Sequence, residues 1–110
     1  MKCHIRWLIK RDVPEVLEIE EKSFPYAWTE DDLLSCLRPY HTIGLVAEYH
    51  EKVAGFIIYK LSKTSLRLVN LAVHPQYRRL GIGTQLVAKA LEKLSTELRN
   101  RLIVDIDERN

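Results

Sequence analysis

Three β-rich runs followed by one long amphipathic helix constrain the fold of this 110-residue chain more than any other feature of its sequence. The runs span Ile43–Tyr49, Val53–Lys60 and Leu66–Val73, and the short polar segment between the first two predicts a hairpin. From about Gly83 to Leu98 the apolar residues change to helical spacing. They are Leu86, Val87, Ala90, Leu91, Leu94 and Leu98. Because such a helix must bury its apolar side, we expect it to pack on the three strands.

Further elements are predicted on both sides of this unit. Ile5–Ile9 alternates as a strand does, and Asp12 then begins a D-x-x-E pattern that is typical of a helix capping box. A second helix begins at Thr29, again with an acidic residue three places on, and ends before the next proline. Arg101–Ile106 is predicted as a last strand, parallel to the strand before the long helix. The order β-α-α-β-β-β-α-β indicates a mixed sheet of the α/β (α+β) class, with all 110 residues forming one domain.

Composition excludes several classes of protein. No stretch approaches the roughly 20 apolar residues that cross a bilayer, and the first residues lack the apolar segment of a signal peptide. We therefore expect a cytoplasmic protein with no membrane partner. Two cysteines are too few for a disulfide scaffold, and the four histidines do not have the spacing of metal ligands. No metal site is predicted.

Charge is distributed unevenly, although the net charge is only +2. Residues 13–32 contain seven acidic side chains and one base, whereas residues 60–104 contain nine bases and two acids. The seven acidic residues are Glu15, Glu18, Glu20, Glu21, Glu30, Asp31 and Asp32. This dipole suits an anionic ligand at one end and a cationic ligand at the other, or it reflects solvated helix faces and nothing more. We do not expect nucleic acid as the anion, because no known reading motif accompanies the bases.

The segment from Val73 to Gly83 carries the strongest functional signal. Gly81 and Gly83 flank one residue where the long helix begins, so the backbone there can approach an anion closely. Arg78 and Arg79 add positive charge. The spacing fits neither a dinucleotide-binding fingerprint nor a Walker A motif. The segment therefore predicts phosphate binding of another kind, with a glycine turn beside a solvated arginine pair as the alternative.

Arg78-Arg-Leu-Gly81-Ile-Gly83 resembles the R/Q-x-x-G-x-G/A loop of the GNAT superfamily of N-acetyltransferases, and Asn70–Tyr77 is similar to the strand that leads into it. The resemblance implies acetyl-CoA as co-substrate. Backbone amides from Arg79 to Thr84 would hold its pyrophosphate, Leu71 and Val73 would pair with the pantetheine arm, and the Val73 amide would polarise the thioester carbonyl. The implied cofactor-binding residues are Leu71, Ala72, Val73, Arg78, Arg79, Leu80, Gly81, Ile82, Gly83, Thr84 and Asn110.

Two further segments resemble the ribosomal-protein-alanine N-acetyltransferases and their protein N-terminal relatives within this superfamily. Phe24-Pro-Tyr-Ala-Trp28-Thr-Glu30 is similar to their F-P-x-W-[ST]-E stretch, which borders the peptide site. This implies substrate contacts from Phe24, Tyr26 and Trp28; as aromatics, all three could instead belong to the core. Val104–Asn110 is similar to their L-E-V-R-x-S-N segment, which implies that Asp105 is the general base and that Asn110 contacts the cofactor. Asp105 stands where these relatives have glutamate, so its reach is shorter, and a solvated strand-end carboxylate is the alternative.

The resemblance implies direct acetyl transfer from acetyl-CoA to an amine, most plausibly a protein N-terminal α-amine. Such an amine has a pKa of about 8, against about 10.4 for lysine, so a usable fraction is already deprotonated near neutral pH. A non-catalytic acyl-CoA-binding module and an acetyltransferase of small amines are the alternatives.

The family pattern continues with a tyrosine-bearing helix and two more strands, which are missing here. We therefore expect an incomplete domain with reduced turnover. Its open edge at Leu102 to Ile106 would allow a homodimer or a strand-swapped assembly.

Overall fold

The computed structural model of the chain describes residues 2–63, 65–96 and 101–104. Its element order is the predicted one, with two 3-10 turns at Lys10–Asp12 and Pro75–Tyr77. The strands and helices are β1 (His4–Trp7), α1 (Val13–Ser23), α2 (Glu30–Leu37), β2 (Thr42–Tyr49), β3 (Lys52–Leu61), β4 (Ser65–Val73), α3 (Ile82–Thr96) and β5 (Arg101–Val104). The predicted ends of the long helix at Leu98 and of the last strand at Ile106 lie outside the described residues. None of the helices in the described ranges is both long enough and apolar enough to cross a bilayer.

The five strands form one sheet in the order β1-β2-β3-β4-β5. The first four strands pair antiparallel, and β5 pairs parallel to β4, which confirms the predicted mixed sheet. Two register shifts interrupt the ladders. One of them lies in β4, where Ile58 pairs with Asn70 but the next residue pairs with Leu68, so Val69 is an extra residue. Such a bulge bends the strand and increases its twist.

The start of the chain departs from prediction in two respects. The first strand ends at Trp7 and not at Ile9, because the Ile9 amide donates to Asp12 Oδ2 at 2.8 Å and its carbonyl accepts from the Asp12 amide. Asp12 occupies the N-cap of α1 but its side chain makes no cap hydrogen bond, and Glu15 accepts instead from the Val53 amide. The predicted capping box of the first helix is therefore wrong. At Thr29, however, the reciprocal box is present.

Helices cover both faces of the sheet. α1 and α2 pack on one face through a cluster that includes Val16, Leu33 and Phe56, and α3 packs on the other through a cluster that includes Leu86 and Ala90. The sheet and the start of α3 approach each other closely at one glycine of β3. A Cβ atom on Gly55 would lie 3.0 Å from the Ala72 carbonyl oxygen and 3.3 Å from Ile82 Cγ2. The first residue of α3 therefore rests on the sheet where a side chain is missing.

Candidate active site

The C-terminal half of β4 has one edge without a strand partner among the described residues. β5 pairs with Ser65–Leu68 and its described part ends there, whereas β3 follows β4 as far as Val73. The His74 amide donates to Ala54 on β3 at 2.8 Å. Since backbone polar groups alternate between the two sides of an antiparallel strand, the N–H and C=O groups of Leu71 and Val73 point to the other edge. Arg78 Nε donates to the Val73 carbonyl, so the N–H and C=O of Leu71 and the N–H of Val73 are the groups at this edge that have no strand partner among the described residues.

Ala72 is oriented the other way. Its side chain is 7% exposed and belongs to the core cluster beneath α1, and it is the register partner of Phe56 on β3. The side chains of Leu71 and Val73 pack on the α3 side of the sheet. Of these three predicted residues, Leu71 and Val73 therefore contribute backbone groups to the open edge, and Ala72 contributes to the core.

The loop after β4 is held by short-range hydrogen bonds and by Arg78. The Arg78 guanidinium donates from Nε to the Val73 carbonyl at 3.0 Å and from Nη2 to Ser23 Oγ at 3.2 Å. This side chain thus joins the end of β4 to the end of α1, and its predicted role in cofactor binding stays a prediction. Arg79 and Gly81 have positive φ angles of 66° and 81°, which turn the exposed backbone before the helix. Leu80 lies between them, 42% exposed.

The first turn of α3 follows a glycine, which has no side chain to cap it. Its first helical hydrogen bond runs from the Gln85 amide to the Gly81 carbonyl, so the amides of Ile82, Gly83 and Thr84 precede it and have no acceptor within the helix. A serine, threonine or aspartate at the Gly81 position would satisfy one of these amides, whereas glycine leaves them available. A Cβ atom on Gly81 would find nothing within 4 Å. The space beside Gly81 is therefore open, and the three amides lie at the positive end of the helix dipole.

An apolar groove of about 410 Å³ runs beside β4 on the α3 side of the sheet. It is lined by Leu71, Gly83, Thr84, Val87, Ala88 and Leu91. Because Gly83 and Thr84 belong to the first turn of α3 and Leu71 to the open edge, the groove connects the two. Ile82 itself is buried, 1% exposed, and contacts the core with its side chain.

The aromatic segment Phe24–Trp28 lies on the other face of the sheet. Phe24 and Trp28 are half-buried and pack against the core cluster of α1 and α2, whereas Tyr26 is 78% exposed. The interpretation as core residues therefore holds for Phe24 and Trp28. The backbone of the segment is fastened to α1, because the Trp28 amide donates to Glu20 Oε2 at 2.9 Å.

A surface ion-pair group connects α1 to the end of β4. Glu18 Oε2 lies 3.0 Å from Lys22 Nζ and 3.4 Å from His74 Nε2. Hydrogen bonds from Lys22 and His74 and the charge of Lys22 hold the pKa of Glu18 below its ordinary value. Together with Glu15, Lys52, Val53, Gln76 and Tyr77, Glu18 and His74 line a polar cavity of about 320 Å³. This cavity lies at the α1 side of the loop.

Comparison with known proteins identifies the family. The Acetyltransferase (GNAT) family matches residues 13–110. The chain belongs to this family. A Bacillus subtilis protein provisionally assigned as a ribosomal protein bS18-alanine N-acetyltransferase is 29% identical over 96% of this chain and 70% of its own length. The Escherichia coli strain K12 ribosomal protein bS18-alanine N-acetyltransferase is 30% identical over 82% of this chain and 57% of its own length.

Solved structures show the same fold. The crystal structure of the Escherichia coli ribosomal-protein-S18-alanine N-acetyltransferase superposes with a TM-score of 0.87 at 24% identity, covering 99% of this chain and 70% of that one. Ard1 from Thermoplasma volcanium gives 0.86 at 23% identity, covering all of this chain and 75% of that one. This GNAT chain therefore corresponds to part of the length of its relatives.

Most of the residues that the sequence predicted to bind the cofactor lie along one path, which runs from the open edge of β4 to the first turn of α3. Asp105 and Asn110 lie outside the described residues, so their roles stay predictions. The sequence interpretation missed Glu20, which is only 1% exposed although it was counted with the acidic surface, and its partner Asn70. One signal could have identified Glu20: it continues the apolar spacing of Val13, Val16 and Leu17 on α1.

Proposed function

We propose that this GNAT protein transfers an acetyl group from acetyl-CoA to an amine, and that the acceptor is the α-amine of a protein N-terminus of the ribosomal-protein-alanine type. One observation carries the proposal: the edge of β4 at Leu71 and Val73, which has no strand partner among the described residues, leads along an apolar groove to amides at the start of α3 that have no acceptor within the helix. The names of the Bacillus subtilis and Escherichia coli relatives support the choice of acceptor.

The residues present fit acetyl-CoA. A diphosphate needs donors without their own acceptors and space beside them, and both conditions are met at Gly81 and the amides that follow it. An extended pantetheine arm carries amide groups that match a free strand edge, and Leu71 and Val73 present such an edge. When bound, acetyl-CoA supplies the activated acetyl group as a thioester.

The chain's own residues then orient the reaction. The Val73 amide donates toward the thioester carbonyl, where negative charge develops during attack by the amine. Asp105, which directly follows Val104 in the sequence, takes the proton from the incoming amine through a water molecule. As the C–N bond to the acetyl group forms, the thioester C–S bond breaks, and coenzyme A leaves as the free thiol after its sulfur takes a proton from solvent. The segment Phe24–Trp28, with Tyr26 exposed at its tip, borders the acceptor peptide.

The test is release of free thiol from acetyl-CoA in the presence of a short peptide that begins with alanine and contains one lysine. Mass spectrometry of fragments then locates the acetyl group. We expect acetylation of the α-amine only, and no thiol release with the same peptide carrying a blocked N-terminus. Binding of coenzyme A without turnover would favour the acyl-CoA-binding module. Faster acetylation of polyamines or aminoglycosides than of the peptide would refute the proposed acceptor.

A further inference from the structure

Glu20 lies in the last turns of α1, and its buried carboxylate contacts strand β4 and the aromatic segment Phe24–Trp28. Its Oε1 accepts from Asn70 Nδ2 on β4 at 2.8 Å, and its Oε2 accepts from the Trp28 amide at 2.9 Å. Glu20 is 1% exposed and Asn70 is 5% exposed. Hydrogen bonds to a carboxylate in such a place are short and strong, and they tolerate little displacement.

Glu20 also forms hydrogen bonds to both ends of the aromatic segment Phe24–Trp28. The Glu20 carbonyl accepts from the Phe24 amide at 3.1 Å, while its side chain holds the Trp28 amide. Phe24 and Trp28 pack inward on the core, so the exposed tip at Tyr26 is held between two anchored positions. The geometry of this segment therefore depends on Glu20.

Asn70 places the carboxylate beside the open edge of β4. It directly follows the bulge at Val69 and precedes Leu71, the first residue whose backbone groups point to the open edge beyond the bulge. Because Asn70 Nδ2 and the Trp28 amide bind the two oxygens of one carboxylate, strand and aromatic segment are held at a defined separation.

We propose that Glu20 is a positioning residue for the acceptor: it sets the position of Phe24–Trp28 relative to the β4 edge, so that the incoming amine meets the thioester carbonyl. This inference rests on the proposed function. Glu20 itself is buried and contacts neither substrate. Its effect is therefore expected on the acceptor and not on coenzyme A, because Glu20 binds on the α1 face, whereas the proposed contacts of coenzyme A are backbone groups of Leu71 and Val73 at the β4 edge, the groove on the α3 side and the first turn of α3.

The decisive variant is Glu20→Gln. The new amide can accept from one partner only, because its NH₂ group meets either the Asn70 NH₂ group or the Trp28 N–H. We expect KM for the peptide to rise about tenfold, since one buried hydrogen bond is lost. The dissociation constant for coenzyme A should stay unchanged. Hydrogen exchange at the Trp28 amide should become faster. Glu21→Gln is the matched control, because it removes the same charge at the neighbouring exposed position.

The double variant Glu20→Gln with Asn70→Asp reverses the donor and acceptor between α1 and β4. The new glutamine amide can donate to the new carboxylate while its oxygen still accepts from Trp28, and the net charge equals that of the wild type. We expect KM and Trp28 exchange to return toward wild-type values, whereas Asn70→Asp alone should place two carboxylates together and impair both.

The outcomes separate the two proposals. If the wild type acetylates peptides but Glu20→Gln leaves KM unchanged while Trp28 exchange rises, Glu20 is merely structural and the positioning role is refuted. Equal weakening of coenzyme A and peptide binding, or failure of the double variant to restore KM, would refute it as well. A wild type that binds coenzyme A but acetylates no peptide would instead refute the proposed function, and the positioning role with it.

Discussion

The two sides of the candidate active site are built by different means. On the α3 side, the proposed cofactor loop (residues 78–84) leads to backbone amides that have no acceptor within the helix and is shaped by positive φ angles at Arg79 and Gly81. On the α1 side, the acceptor segment (residues 24–28) is shaped by a buried carboxylate and by two aromatic side chains in the core. Changes to backbone freedom should therefore damage the first side, and changes to buried polar groups should damage the second.

The largest effect is expected at Asp12, which anchors the start of α1. Its side chain is 2% exposed and both its oxygens bind the Arg6 guanidinium, at 2.8 and 2.9 Å. Asp12→Asn should reduce the free energy of unfolding by roughly 3 kcal/mol, because a buried side chain loses charge-assisted hydrogen bonds to Arg6, although Arg6 keeps Glu48 as a second partner. Urea unfolding measures this, with the exposed Asp31→Asn as control. A variant as stable as the control would show that α1 does not depend on this pair.

The same carboxylate predicts acid sensitivity. Burial by itself would raise the pKa of Asp12, but hydrogen bonds from Arg6 and the Ile9 amide and the charges of Arg6 and Arg11 hold it below its ordinary value. A lowered pKa contributes stability above the unfolded value of about 3.9 that is lost as pH falls through the folded value. Stability of the wild type should thus fall more steeply below about pH 4 than that of Asp12→Asn. Parallel pH profiles would contradict this.

Substitutions at Gly81 test the side of the site that is proposed to bind coenzyme A. Valine at a φ of 81° is strained, although open space surrounds the position. Gly81→Val should weaken coenzyme A binding by about 2 kcal/mol, or roughly thirtyfold in Kd, as the loop moves to a negative φ. Leu80→Val is the matched control, because it places the same side chain at the neighbouring exposed position, where φ is not positive, and it should keep most of the affinity. Calorimetric titration distinguishes them, and equal losses in both would exclude φ as the cause.

Gly55 tests whether the sheet positions the start of α3. A Cβ atom there would lie 3.0 Å from a backbone oxygen, so Gly55→Ala should cost about 1–2 kcal/mol of stability and weaken coenzyme A binding together with it. The comparison variant is Gly83→Ala, whose Cβ would be 3.6 Å from Val73 Cγ2 and whose helical position favours alanine. Thermal unfolding should therefore shift in opposite directions for the two. A shift in the same direction would count against the close approach at Gly55.

The smallest effect is expected at Glu18, between the two sides. Its carboxylate is 52% exposed, and its ion pairs with Lys22 and His74 are open to solvent. Because exposed pairs contribute little, Glu18→Gln should leave the melting temperature at neutral pH within replicate scatter. A clear loss of stability or of peptide acetylation would show that this surface group joins the two sides energetically.

Much of the fold follows from local patterns. Apolar spacing predicted every strand and helix, and the capping box at Thr29 is present because it needs only residues close in sequence. The capping box at Asp12 is absent because Arg6 on β1 binds the Asp12 carboxylate and the distant Val53 amide on β3 donates to Glu15. The contacts of Arg78 with the end of β4 and with Ser23 could not be predicted from its own segment either.

The sequence alone determined the order of the elements and the family resemblance, and it predicted the cofactor loop, because glycine spacing and helical periodicity are local properties of the chain. Only the tertiary structure revealed the open edge of β4, the buried Glu20 and the close approach at Gly55. Each of these depends on segments far apart in the chain that meet once the sheet has formed. Burial and hydrogen-bond partners are properties of that assembly, and no single stretch of sequence contains them.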